Sequence, residues 1–264
     1  MKTILQKTFI LSFPVITLLG ILACNLLAPV PTVTPSPVPP TETSIPLISQ
    51  QVILIPTSFN ETNQSPPFTI SSQTPQLAGS DDPRVQTLNQ RLNELVQKEV
   101  DIFRQGFLQS PATPISSGSF LEVTYTLTAQ INDIWSFKFD FSFYSDGAAH
   151  PGLYSITMNY DLGQGKELLL GDLFIANSNY LEAISNYCIT ELSRQPFFEG
   201  PFQEGAWPTV ENYRNWNIAA DGLMITFDEY QVAPYAAGPQ IVTVPYSEIR
   251  QIIDQQGPLE SLLP

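Results

Sequence analysis

Residues 135–143 read WSFKFDFSF, and the fold turns on how this stretch is read. Trp135, Phe137, Phe139, Phe141 and Phe143 alternate with Ser136, Lys138, Asp140 and Ser142. A period of two sends successive side chains to opposite faces of a strand, so one face is apolar and the other polar. The same rule governs both neighbours. In LEVTYTLTA (121–129), Leu121, Val123, Tyr125 and Leu127 alternate with Glu122, Thr124, Thr126 and Thr128, and YSITMNYDL (154–162) repeats the pattern with Tyr154, Ile156, Met158 and Tyr160. Three such runs in succession predict antiparallel strands with one greasy and one wet face.

Upstream, DDPRVQTLNQRLNELVQKEVDIFRQGF (81–107) predicts a helix with Asp82 as N-cap and Pro83 in the first turn. Val85, Leu88, Leu92, Leu95, Val96 and Phe103 share one of its faces, which suits it to cover the aromatic row. That row therefore reads as core rather than as a binding platform. QVILIP (51–56) and PFTISSQTPQL (67–77) read as short strands joined by the polar SFNETNQSPP. Downstream, DLGQGKEL turns through Gly163 and Gly165. YLEAISNYCITELSRQ (180–195) predicts a second helix whose Leu181, Ile184, Cys188 and Leu192 face the core, making Cys188 a small buried hydrophobe. LMITFDEY and PQIVTVP read as strands, and SEIRQIID (247–254) as a C-terminal helix. Helices and strands mix without strict βα alternation. The class is α+β: antiparallel sheets with packed helices, in two small adjoining subdomains.

The N-terminus predicts export. Lys2 and Lys7 precede the apolar run FILSFPVITLLGILA (9–23), which is interrupted by Pro14 and falls short of the roughly 20 residues a span needs. Ile21-Leu22-Ala23-Cys24 fits a lipobox, with lipidation of Cys24 anchoring the chain to a membrane at the cell surface. The Pro/Thr-rich APVPTVTPSPVPPTETSIP (28–46) cannot bury enough apolar area to order itself. It reads as a stalk; 29–46 in polyproline II would reach on the order of 55 Å. The expected organisation is a signal peptide over 1–23, the stalk over 24–50, subdomains over 51–145 and 146–255, and a tail over 256–264.

Of 11 Lys and Arg, Lys2 and Lys7 leave with the leader, so 9 face 25 Asp and Glu. Such acidity excludes nucleic acid as a partner, since phosphate contacts need clustered cations. It favours cationic partners or simple solubility. With Cys24 lipidated, Cys188 is the remaining thiol, so neither an intrachain disulfide nor a Cys-based zinc site is expected.

Three blocks carry a family resemblance. TPQLAG (74–79) leading into LNQRLNELVQ resembles the opening of a secreted domain of the PdaC type. FYSDGAAHPGLYSITMNYDLGQGKELLLGDLF (143–174) and DGLMITFDEYQVAPYAAGPQIVTVPYSEI (221–249) resemble the adjoining domain of unknown function found in the extracellular part of RsiV-type anti-sigma factors, which sense lysozyme. The resemblance spans roughly 51–255. It implies an extracytoplasmic recognition domain without assigned catalytic residues, whose ligand is a cationic protein such as lysozyme, or peptidoglycan. Two positions depart from the pattern: Ala148 and Pro151 stand where glycines are preferred, and proline fixes φ near −65°. No sigma-binding segment is expected ahead of the leader.

His150 is the single histidine of the chain. Catalysis would need an orienting acid and a nucleophile within reach, and zinc would need further ligands. Asp146 shares its turn. The reading is that His150 holds the turn or lines a ligand surface; no catalytic residue, metal or cofactor is expected. In FDEYQVAPYAAG (227–238), Tyr230 and Tyr235 combine apolar area with a hydroxyl, as interface residues do, but the reading favoured over binding is a proline-shaped loop packed onto the body by these tyrosines. The adjacent Asp228 and Glu229 would face opposite ways on a strand. PFFEGPFQEGAWPTVENYRNW (196–216) is an aromatic loop in which Trp207 is a further binding candidate, though the loop serves equally as a cover for the preceding helix.

Overall fold

The three alternating segments form the centre of a six-stranded sheet. The computed structural model describes residues 47–109 and 118–263; the leader, Cys24 and the stalk up to residue 46 lie outside them. The strands are β1 (Ile53–Gln64), β2 (Pro67–Ala78), β3 (Phe120–Ile131), β4 (Ile134–Tyr144), β5 (Gly152–Asp161) and β6 (Lys166–Glu167), ordered β1-β2-β3-β4-β5-β6. In the β3–β4–β5 register, Phe137 lies between Leu127 and Met158, and Phe139 between Tyr125 and Ile156. Phe141 likewise lies between Val123 and Tyr154. The aromatic row is thus the spine of an apolar face.

Helix α1 (Pro83–Gln109) covers that face with Val85, Leu88, Leu92, Val96 and Val100, all buried. Asp82 caps it: one carboxylate oxygen accepts the Arg84 N–H at 2.8 Å. The Arg84 guanidinium also bonds that carboxylate and holds its pKa down at about 2. The first core thus follows the sequence reading, with two differences. β2 and β3 run parallel over Thr69–Ser72, because α1 is the crossover between them. β1 also continues through Ser58–Gln64, which composition assigned to a polar connection; an edge strand that buries little needs no apolar periodicity.

A second layer follows. After a 3₁₀ turn at Leu170–Leu173 come α2 (Tyr180–Leu192) and a 3₁₀ segment at Gly200–Ala206. Then β7 (Trp216–Ile218), β8 (Gly222–Phe227) and β9 (Gln240–Pro245) form an antiparallel three-stranded sheet, and a single helical turn, α3 (Tyr246–Ile249), ends the run. The helix expected over 247–254 shrinks to that turn. A second core gathers Leu173, Ile184, Cys188, Tyr213, Ile225, Phe227, Val244 and Ile249. Burial pushes the Cys188 thiol up to about 12.

The polar face of the large sheet is not the wet surface its alternation predicts. β7 crosses it, and Ser136, Asn159 and Asn217 are 0%, 2% and 0% exposed. Ser136 Oγ donates to Asn159 Oδ1 at 2.6 Å and accepts from Asn217 Nδ2 at 2.9 Å and Ile218 N at 3.1 Å. Asn159 Nδ2 donates to the Trp216 carbonyl at 2.8 Å, and Thr128 Oγ1 to the Ile218 carbonyl at 3.0 Å. Short polar side chains here serve as partners for a second backbone layer, and most of the polar groups they bury are bonded, Asn217 Oδ1 being left without a partner. The fold is α+β, with two apolar cores on either side of a polar seam.

Candidate functional site

His150 precedes Pro151 at the end of the β4–β5 connection, which turns tightly with the Ala148 N–H donating to Ser145 O at 2.9 Å and Gly147 at φ 90°. Its ring stacks on Tyr235 with centroids 3.6 Å apart and planes at 23°. Nδ1 lies 2.9 Å from the Pro151 carbonyl, and Nε2 3.3 Å from the Tyr230 hydroxyl. Both contacts are satisfied when Nδ1 carries the proton and donates to Pro151 O while Nε2 accepts from Tyr230 O–H. Tyr235 O–H donates to the same carbonyl at 3.0 Å, and the two tyrosine rings lie 5.8 Å apart. The structure thus joins three of the four sequence candidates, His150, Tyr230 and Tyr235, into one aromatic cluster at the surface. Tyr230 is 56% exposed and holds φ 65°, a conformation that non-glycine residues adopt only where surrounding contacts impose it.

Those contacts come from the 228–238 loop itself. Over Gly152–Ser155, β5 has β4 on one side and no strand on the other. Two carboxylates fill that side: Glu229 accepts the Leu153 N–H at 3.0 Å and Asp228 the Ser155 N–H at 2.9 Å. Asp228 also accepts from Arg214 at 2.8 Å and Asn215 at 3.1 Å. The neighbours expected to diverge converge instead, because β8 ends at Phe227 and the chain has left strand geometry. They meet on backbone, so each is engaged in holding the loop down.

Gln231 extends the clamp. Its Nε2 donates to the Gly205 and Asn212 carbonyls at 3.0 and 2.9 Å, and its Oε1 accepts the Asp228 N–H at 3.2 Å. Gly205 is obligatory, since a Cβ there would sit 1.8 Å from Gln231 O. Asn212 in turn donates to the Trp207 carbonyl at 3.0 Å. Trp207 is 51% exposed, tied through Asn212 and Gln231 to the loop carrying Tyr230; among the described residues, the ring contacts of the cluster do not include it. Nothing in the sequence announced Gln231: a glutamine's reach to three backbone groups depends on loops brought together only by the fold.

Elsewhere, a groove of about 430 Å³ opens beside Thr157, Leu168, Tyr180 and Trp216, with the exposed Leu169 and Val210 on its lining. Among the described residues no group of three or more His, Cys, Asp and Glu is placed to hold a metal ion, and no helix is long and apolar enough to cross a membrane.

Comparison with known proteins adds the following. Residues 171–247, which contain the 228–238 loop and Trp207, match the family DUF3298, described as a protein of unknown function. The peptidoglycan-N-acetylmuramic acid deacetylase PdaC of Bacillus subtilis is 25% identical over 172 residues, covering 64% of this chain and 37% of that protein. The immunogenic protein MPT64 of Mycobacterium tuberculosis is 27% identical over 107 residues, 40% of this chain and 47% of that one. The chain therefore spans less than half the length of these curated relatives. Crystal structures of DUF3298 family proteins share the fold. One from Bacteroides fragilis has a TM-score of 0.61 at 14% identity, covering 80% of this chain and 96% of that one. One from Pseudomonas aeruginosa has a TM-score of 0.56 at 16% identity, covering 81% and 97%.

Proposed function

We propose that this chain is a non-enzymatic recognition module of the cell envelope, held at the outer surface of the cytoplasmic membrane by lipid on Cys24, and that its ligand is a cationic protein such as lysozyme. The observation that carries this reading is the cluster in which the exposed His150 and Tyr230 meet a half-buried Tyr235, the three held together by ring stacking and by hydrogen bonds to one another and to the Pro151 carbonyl. Rings fixed in advance lose little entropy on contact, and Tyr combines apolar area with a hydrogen-bonding tip. The chain's formal charge of −14 draws a basic partner toward that surface.

A second reading, favoured by the similarity to a protein named as a peptidoglycan deacetylase, makes the ligand a cell-wall glycan and this chain an accessory domain to an envelope glycan hydrolase or deacetylase. One experiment separates the two. The purified chain is titrated by calorimetry with hen lysozyme and with soluble peptidoglycan fragments, at low and at moderate salt. Saturable lysozyme binding that persists at moderate salt and falls at least tenfold in Tyr230→Ala supports the first reading; glycan binding with the same dependence supports the second. Attraction that disappears with salt is long-range charge alone. That outcome, silence with both ligands, or binding indifferent to Tyr230→Ala overturns the proposal.

A further inference from the structure

The two margins of the large sheet are finished differently. On the far side, β6 is only two residues long, and the open part of β5 is closed by Glu229 and Asp228 bonding the Leu153 and Ser155 amides. This is the usual protection of a sheet margin against other chains. β1 has no such cover: it runs 12 residues, and among the described residues only β2 pairs with it. At about 3.4 Å per residue it presents roughly 40 Å of strand.

The register with β2 shows which backbone groups face outward. Pro56 lies opposite Pro75, and neither has an N–H. That position is therefore a non-hydrogen-bonded pair, and alternation turns the polar groups of Leu54, Pro56, Ser58, Asn60 and Thr62 away from β2. The odd positions carry Ile53, Ile55 and Phe59, which are 63%, 42% and 43% exposed. The single charge on the strand, Glu61, is neutralised by Arg104 with contacts of 3.0 and 2.6 Å. In a chain of formal charge −14, β1 is thus an uncharged band where a second copy meets the least repulsion.

We propose that β1 pairs antiparallel with β1 of a second copy of this chain, about a two-fold axis at Thr57. Outward groups must face outward groups, which restricts the two-fold registers. Centring on Pro56 leaves the central pair with no hydrogen bond at all, whereas a centre at Thr57 spreads the two missing proline donors over two Pro56–Ser58 pairs that each keep one bond. Centring on Ser58 sets Phe59 against Thr57, Ile55 against Glu61 and Ile53 against Asn63, and so leaves no apolar pair. Centring on Thr57 sets Ile55 against Phe59 twice, a β-branched residue against an aromatic one, and Thr57 against its twin, with Ile53 opposite Glu61 only at the two ends of the interface. The resulting interface is isologous and closes at two copies.

The test is cysteine cross-linking of the full chain carrying Cys24→Ser, with buried Cys188 as the remaining native thiol. Thr57→Cys places two sulfurs across a non-hydrogen-bonded pair, so mild oxidation is expected to give a species of doubled mass on a non-reducing gel, reverted by dithiothreitol. Gln164→Cys, exposed at the opposite margin, is expected to stay monomeric. Light scattering of the unsubstituted chain is expected to give twice the chain mass, and Ile55→Lys with Phe59→Lys to give the monomer with an unchanged circular dichroism spectrum. A monomeric unsubstituted chain, equal cross-linking at both cysteine positions, or a monomer whose β1 amides resist hydrogen exchange because another segment covers them would each overturn the proposal.

Discussion

Asp228 is the residue on which the aromatic surface depends most, and its removal has a calculable cost. Asp228→Ala strips the acceptor from the Ser155 N–H, which belongs to a residue only 3% exposed, and leaves Arg214 and Asn215 without that partner. A buried donor left unmade costs about 1–3 kcal/mol. The Arg214 pair is half in solvent on the arginine side and adds about 0.2–1 kcal/mol after screening. The expected loss is about 3 kcal/mol, or roughly 6–12 °C in Tm for a body of this size. Asp228→Asn, which keeps an acceptor and loses the charge, is expected to lose about half as much. Thermal melts followed by near-ultraviolet circular dichroism, which reads the tyrosines of the cluster, measure both. A Tm for Asp228→Ala within 2 °C of the parent would refute the clamp and, with it, the rigidity claimed for Tyr230.

Three further outcomes follow from the same contacts. His150→Ala removes the stack on Tyr235 and is expected to cost about 1 kcal/mol, visible as a shift of a few degrees in the same melt. Gly205→Ala drives a methyl into the Gln231 backbone and is expected to cost about 3 kcal/mol, with earlier proteolysis of the 196–216 loop in a timed digest. The Cys188 thiol, raised to about 12 by burial, is expected to resist Ellman's reagent at pH 8 until the chain unfolds. Because its folded pKa lies above the unfolded value, its contribution to stability is complete below about pH 8.5 and is lost as pH rises through 12; urea midpoints measured across that range check the sign.

What the sequence made legible was periodicity. The aromatic row of β4, the strands beside it, the covering face of α1 and the buried face of α2 all stand where alternation or helical spacing put them, because each repeats a local rule over many residues. Non-local arrangements were not legible. Nothing in PFTISSQTPQL says that β2 will meet β3 in parallel, since that depends on where a 27-residue helix returns the chain. Trp216–Ile218 is too short to have a period, and so the layer that dries out Ser136 and Asn159 was missed. At the surface, residue chemistry marked His150, Tyr230 and Tyr235 separately. Their assembly rests on Asp228, Glu229 and Gln231, whose partners are backbone groups distant in sequence.

The polar seam bears on how this chain can change over generations. Each apolar core tolerates substitution one residue at a time, since methyl groups exchange with modest loss. Ser136, Asn159, Thr128 and Asn217 have no such freedom, because altering one strands the hydrogen-bonding groups of the others in a dry place. They therefore constitute one heritable unit, expected to be replaced together or not at all, and distant descendants of this fold should differ in their cores long before they differ along that line.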